Sequence, residues 1–256
     1  MSRTHRLKGK TAVVFGVASE ESIAWAIAQE LAAQGAQILL AYQFRYHSRI
    51  KDLAPKLPNL LDYRRCDVQN DKELDSFFHA LKTPVDILVH SIAYAPATSF
   101  QKPLSQTSSE DFTTALQVSA HSLAKILGRA LPHMPDGGSV MTMSFLGGQR
   151  AVVNYNVMGV AKAALEAYVR GLALELGPRK IRVNALSPGP IQTLAASGIP
   201  EFEYMLSRTR ELAPLRETAT QEDVAKCAAF LASEDARMIT GQTILIDGGY
   251  SIVGYL

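Results

Sequence analysis

Short runs of β-branched and aliphatic residues alternate with longer amphipathic stretches from one end of this chain to the other. Residues 11–16, 36–42, 61–65, 85–90, 139–144, 181–186 and 243–246 have the length and composition of strands. Residues 22–34, 71–81, 111–131, 154–176 and 221–232 repeat apolar positions at helical spacing. Strands alternating with helices predict an α/β fold, a Rossmann-like doubly wound parallel sheet with helices on both faces and right-handed crossovers. No repeat or linker divides the chain, so residues 1–256 read as a single domain. The alternation lapses only over residues 187–212, the last part of which (190–212) is the candidate lid, where a Pro- and Gly-rich opening leads into a short amphipathic pattern. Placed beyond the end of a strand, that insertion is read as a substrate-covering helical segment rather than an inert surface loop.

Composition narrows the function classes. A hydrophobic content of 47% over 256 residues is enough for one large core. A net charge of +2 with dispersed basic residues gives no electrostatic footprint for nucleic acid. The polar start Met1-Ser-Arg-Thr-His-Arg-Leu-Lys-Gly-Lys10 lacks the apolar run of a signal peptide, and no stretch is long enough to span a membrane. Cys66 and Cys227 stand apart without metal-ligand spacing, so no metal site is expected and both thiols read as reduced, in a cytoplasmic protein.

Chemistry concentrates in Asn154-Tyr-Asn-Val-Met-Gly-Val-Ala-Lys162. At about 100° per residue, seven positions return Lys162 to within roughly 20° of Tyr155 on a helix. A phenol that donates to a developing oxyanion, near a cation that favours the charge, suits a reductase. Gly16-Val-Ala-Ser-Glu-Glu-Ser22 joins the first strand to a helix without the Gly-x-Gly-x-x-Gly fingerprint. Gly16 is left as the close-approach glycine, and Ser22 sits where an N-cap and its following amides could meet a pyrophosphate. At the end of the second strand an uncharged Gln43, followed by Phe44 and Arg45, stands where an acid usually reads the ribose. Nothing there would repel a 2′-phosphate, and Arg45 is either its partner or a solvated surface charge. Asp67, after the third strand, would accept from an adenine amino group, while Val68 beside it and Ile92 after the fourth strand would wall the base and ribose.

These residues form one ordered set with Arg182-Val-Asn-Ala185, Gly189-Pro-Ile-Gln-Thr-Leu-Ala-Ala-Ser-Gly198-Ile199 and Asp247-Gly-Gly249. The set resembles the bacterial type II enoyl-acyl-carrier-protein reductases, a divergent branch of the short-chain dehydrogenase/reductase superfamily. The resemblance implies a homotetramer that reduces the trans-2 double bond of an acyl thioester with NADH or NADPH, NADH being slightly favoured. It implies that Tyr155 donates to the thioester oxygen and Lys162 holds the nicotinamide ribose. Gly16, Ser22, Ile23, Gln43, Asp67, Val68, Ile92, Ile191 and Thr193 would line the cofactor. Tyr94, Phe145, Met158, Ala195, Ile199, Phe202 and Met205 would face substrate, although Met158 also reads as core. Ketone reducers of the superfamily use Tyr-x₃-Lys, and here Gly159 stands at that position. In conjugate reduction the charged oxygen lies two carbon atoms beyond the hydride acceptor, which suits a donor displaced along its helix. Lys162 would bring the phenol's pKa nearer the working range.

Two departures from the family pattern stand out. Phe145 replaces a tyrosine in Ser144-Phe-Leu-Gly147, keeping the ring without the hydroxyl; a packing role for the ring is the preferred reading. Ser144 would point to the opposite face. Glu201 and Glu203 replace basic residues and would repel an acidic carrier protein, leaving Arg208 and Arg210 to meet it. A specialised conjugate reductase is the alternative function, and a non-catalytic cofactor-binding paralogue a further one. Trp25 reads as core, His47, His79, His121 and His133 as surface groups, and residues 132–138 as a turn.

Overall fold

The computed structural model describes residues 6–194, 196 and 201–254. Seven strands form one sheet: β1 (Thr11–Phe15), β2 (Gln37–Tyr42), β3 (Leu60–Arg65), β4 (Ile87–His90), β5 (Gly138–Met143), β6 (Ile181–Pro188) and β7 (Thr243–Ile246). Their order is β3-β2-β1-β4-β5-β6-β7, and every neighbouring pair is parallel. Strand order reverses between β1 and β4, the crevice where doubly wound sheets take their ligands.

The helices are α1 (Ile23–Ala33), α2 (His47–Leu53), α3 (Asp71–His79), α4 (Thr98–Gln101), α5 (Ser109–Leu116), α6 (Ser122–Ala130), α7 (Asn156–Leu176), α8 (Phe202–Leu212) and α9 (Gln221–Ala232). Period-two geometry sends alternate residues of β1 to opposite layers. Ala12 and Val14 join a core with Trp25, Ile27 and Leu31 of α1 and Val224 and Ala228 of α9. Val13 and Phe15 join the other, with Phe77 of α3, Ile126 of α6 and Leu165 and Val169 of α7. Because β1 is covered on both faces, it is buried throughout and reads as an apolar run from Ala12 to Phe15. The edge strand β3 instead carries Asp62, Arg64 and Arg65, which deter pairing with another chain.

Helix starts follow local chemistry. The Asn70 side chain accepts from the amides of Lys72 and Glu73 and so starts α3. Thr220 and Asp223 make a reciprocal capping box at α9.

Element ends differ from expectation by a residue or two, and three differences matter more. The helix expected over 111–131 is broken by a π-helical turn, Gln117–His121, which rotates Ser119 and Ser122 inward. The short helices α2 and α4 were not legible in the periodicity. The helix expected from 154 begins at Asn156, and Tyr155 is its N-cap rather than an interior residue. Asn154 and Asn156 both have positive φ, 63° and 38°, which is how the chain turns into α7.

Candidate active site

Gly16 closes β1 with φ +102°, and a Cβ there would stand 2.0 Å from the carbonyl oxygen of Ser91, just past β4. No side chain fits between these strand ends, so backbone lines the crevice. Ser22 is the N-cap of α1, as expected, but its hydroxyl donates to Ser19 O at 2.6 Å and makes no cap bond. The amides of Ile23 and Ala24, at the start of α1, therefore have no side-chain cap acceptor, which suits an anion. Ile23 is half-buried against the α1 layer.

The adenosine end is a connected group. Gln43 Nε2 donates to Asp67 Oδ2 at 2.9 Å, while Asp67 Oδ1 accepts from the amide of Gln69 at 3.0 Å. A carboxylate is thus bonded to the Gln43 amide at this strand end. Arg45 stacks on Tyr46 at 4.8 Å and lies 5.9 Å from the Tyr94 ring, with no carboxylate partner among the described residues. Tyr94 is thus on the Arg45 side, 40% exposed, and Ser119 Oγ meets both its backbone N and O at 2.8 Å. Val68 is buried and Ile92 half-buried in the same layer.

At the reaction end, Tyr155 is buried in a small cluster with Met158 and Ala161, against Phe145, Phe100 and Leu116. Its ring centroid lies 4.8 Å from that of Phe145. Gly147 makes room for it, since a Cβ there would sit 2.4 Å from Tyr155 Cδ1. At Gly159 a Cβ would meet Gly147 O at 2.9 Å, so a lysine at that position would collide with the turn beneath it.

Lys162, 4% exposed, donates from Nζ to Met143 O at 2.7 Å. Burial pulls its pKa down to about 8, with the nearby Glu166 carboxylate opposing the shift. Burial pushes the Tyr155 phenol up instead, without relief from the ammonium. The expected lowering by Lys162 is therefore absent here, and Tyr155 holds its proton throughout the neutral range.

Ser144 does point away from Phe145: its hydroxyl donates to Glu166 Oε1 at 2.6 Å. His90, fully buried, bonds Thr142 Oγ1 through Nδ1 at 2.8 Å and Ser122 Oγ through Nε2 at 2.7 Å. Ser122 spends its own proton on Val118 O, so Nε2 carries the hydrogen and Nδ1 accepts. Burial and the positive Lys162 hold His90 neutral, with a pKa of about 3.

Downstream of β6, Ile191 is buried in the α1 layer and Thr193 Oγ1 accepts from the amide of Ala196 at 3.1 Å. Ala195 and Ile199 lie outside the described residues. On α8, Phe202 is buried and Met205 half-buried, while Glu203 is exposed. Glu201 accepts from Asn154 Nδ2 at 3.5 Å, and Arg208 is paired with Glu211, leaving Arg210 exposed.

Trp25 is core, and His47, His79 and His121 are exposed. His133 is half-buried against Phe78, not a plain surface group. The Cys66 thiol is pushed up to about 12 by burial and is inert. No group of His, Cys, Asp and Glu among the described residues could hold a metal ion. Glu166, Gly147, Gly148 and the Ser119–Ser122 turn were missed from sequence. Only Glu166 left a trace, as a charge four residues after Lys162 on an apolar face.

Comparison with known proteins identifies the family. The family model described as enoyl-(acyl carrier protein) reductase matches residues 16–251. The enoyl-(acyl-carrier-protein) reductase (NADH) of Nostoc sp. is 47% identical, over 97% of this chain and 98% of its own. That of Bacillus cereus is 44% identical, over 97% and 99%. A Bacillus cereus enoyl-acyl carrier protein reductase solved with NADP+ and indole naphthyridinone superposes with a TM-score of 0.95 at 43% identity, covering 98% of this chain and all of its own. The Anaplasma phagocytophilum enzyme, solved with NAD, gives 0.94 at 39% identity, covering 98% and 97%. With the likeness running across nearly the whole sequence and sheet, the chain belongs to the enoyl-(acyl carrier protein) reductase family.

Proposed function

We infer that the protein is an oxidoreductase that uses NADH to reduce the trans-2 double bond of an enoyl thioester carried on acyl carrier protein, a step of fatty-acid biosynthesis. The observation that carries this reading is the buried, protonated Tyr155 at the start of α7, seven residues before Lys162, with Gly159 packed too tightly for a nearer lysine. The dinucleotide fits the chain in two places. The close Gly16–Ser91 approach leaves only backbone at the mouth of the crevice, and the uncapped amides of α1 suit a pyrophosphate. The Asp67 carboxylate bonded to Gln43 favours a free ribose hydroxyl over a 2′-phosphate, and so NADH.

When bound, NADH would supply a hydride to the β-carbon of the enoyl group, and the resulting enolate would take one proton, from Tyr155 at the oxygen or from water at the α-carbon, to give the saturated thioester. Tyr155 donates its hydrogen bond to the thioester oxygen, where negative charge develops, so the interaction strengthens in the transition state. Lys162 holds the nicotinamide ribose hydroxyls and places a positive charge near that oxygen. Gly16, Ser22, Ile23, Gln43, Asp67, Val68, Ile92, Ile191 and Thr193 line the cofactor. Phe145 and Met158 pack around Tyr155 and the thioester, and Tyr94 lies at the outer mouth. Residues 190–212 are the candidate substrate cover, to which Phe202 and Met205 would contribute acyl-chain contacts and to which Ala195 and Ile199 belong by sequence. The chain is read as a cytoplasmic homotetramer, and association of copies through the α5–α7 face would cover Leu104, Phe112 and Val160, exposed along an open groove of ≈ 570 Å³.

A second substrate reading, an enoyl group on CoA in a specialised pathway, is favoured by the exposed Glu203 and by the pairing of Arg208 with Glu211. NADH oxidation followed with trans-2-enoyl and β-ketoacyl thioesters tests the reaction class. Turnover of the first alone is expected; turnover of the second alone would contradict it.

A further inference from the structure

Beneath the proposed reaction centre lies a buried carboxylate that the mechanism does not use. Glu166 is 4% exposed, one helical turn after Lys162 on α7. An ionised carboxylate at such depth costs several kcal/mol unless its oxygens are satisfied. Both are. Oε1 accepts from Ser144 Oγ at 2.6 Å and Oε2 from Gln149 Nε2 at 3.0 Å. These partners are the two ends of the six-residue turn that follows β5, and Phe145, which packs on Tyr155, lies between them. The turn lies directly on the helix: a Cβ at Gly148 would stand 3.0 Å from Glu166 Oε1 and 3.0 Å from the Lys162 carbonyl carbon. Lys162 and Glu166 therefore grip successive residues, Met143 by its carbonyl and Ser144 by its hydroxyl.

We propose that Glu166 is a positioning residue, which clamps the Ser144–Gln149 turn and its Phe145 ring against α7 and supplies the counter-charge of the Lys162 ammonium. The proposal rests on Lys162 binding the cofactor, as argued above. The groups facing Lys162 leave Glu166 alone in that electrostatic role. His90, from β4, is neutral and sits near a positive charge it cannot balance. Tyr155, at the head of α7, keeps its proton. Without the carboxylate, desolvation of Lys162 would go unopposed and the ammonium would lose its proton at lower pH.

The test is NADH affinity, read by fluorescence across the pH range, for the parent, Glu166→Gln and Glu166→Asp. Parent affinity should fall as pH rises through about 8, where Lys162 loses its proton. In Glu166→Gln that midpoint should move down by at least about half a pH unit, while Glu166→Asp, which keeps the charge, should restore it. An unmoved midpoint in Glu166→Gln overturns the counter-charge. A parent whose affinity shows no such fall overturns the role of Lys162, a distinct failure that takes the proposal with it. Should Glu166→Gln not fold, Ser144→Ala cuts the tie at one end of the turn and leaves the carboxylate bonded to Gln149. That variant should raise KM for the enoyl thioester at least about threefold, roughly 0.7 kcal/mol, with the NADH midpoint in place. An unchanged KM, or a moved midpoint, overturns the proposal.

Discussion

The Phe145 and Tyr155 rings lie 4.8 Å apart with their planes inclined at 59°, so the residue that departs from the family pattern forms one wall of the proposed proton donor's pocket. Such a pair contributes on the order of 1 kcal/mol beyond its buried area. The ring, not a missing hydroxyl, is then what the position supplies. Phe145→Tyr is expected to leave kcat within about threefold of the parent, and Phe145→Ala to lower kcat/KM by about tenfold or more. A large gain in kcat from Phe145→Tyr would show that the hydroxyl had been limiting.

Two glycines separate cofactor binding from proton donation. In Gly16→Ala the added Cβ meets Ser91 O at 2.0 Å on a backbone already at φ +102°, so NADH affinity should fall at least about tenfold, with some loss of stability. Gly147→Ala places its methyl 2.4 Å from Tyr155 Cδ1 and displaces the phenol. There kcat should fall about tenfold or more while NADH affinity changes little, because a misplaced donor costs transition-state stabilisation. Isothermal titration beside steady-state kinetics reads both; the same pattern in the two variants would contradict this division.

His90 should make the fold acid-sensitive. The unfolded chain takes up a proton near pH 6.5, whereas the buried imidazole resists it down to about 3. Between those values the unfolded state binds more protons, so stability falls as pH falls, by about 2 kcal/mol on going from about pH 7 to about pH 5. Urea unfolding of the parent and of His90→Gln at both pH values isolates the effect. Equal pH dependence in the two proteins would mean that His90 does not carry it.

The charge of α8 should tune carrier recognition. Glu203 is exposed, and Arg208 is partly neutralised by Glu211. Glu203→Lys is expected to lower KM for the carrier-bound enoyl thioester by about threefold at low salt, and to leave KM for the CoA thioester unchanged. Equal effects on both substrates would place Glu203 away from the carrier surface.

The fold was legible because its central strands are buried on both faces and its helices are amphipathic, two patterns that survive translation into sequence. β1 and α9 illustrate this, the first an apolar run from Ala12 to Phe15 and the second opened by Thr220 and Asp223. The ordered motifs placed Gly16, Gln43 and Asp67 at strand ends and Tyr155 at a helix start, with Lys162 about two turns further along α7. What sequence concealed was contact across elements. The Gln43–Asp67 bond joins residues 24 apart, and the π-turn of Ser119 has no periodic signature. The clamp of Glu166 on Ser144 and Gln149 depends on a turn folding back on α7, which no local spacing encodes. The rise of the Tyr155 pKa was missed because desolvation is a property of the packed site, not of the Tyr–Lys interval.

The central claim, that Tyr155 donates to an enoyl thioester reduced by NADH, meets its most direct test in one comparison. NADH oxidation is followed with a trans-2-enoyl thioester on acyl carrier protein, for the parent and for Tyr155→Phe, with NADH affinity measured on both. The account predicts steady turnover by the parent, at least about a hundredfold less by Tyr155→Phe, and equal affinity for NADH. Undiminished turnover in Tyr155→Phe, or none in a parent that binds NADH, would contradict it.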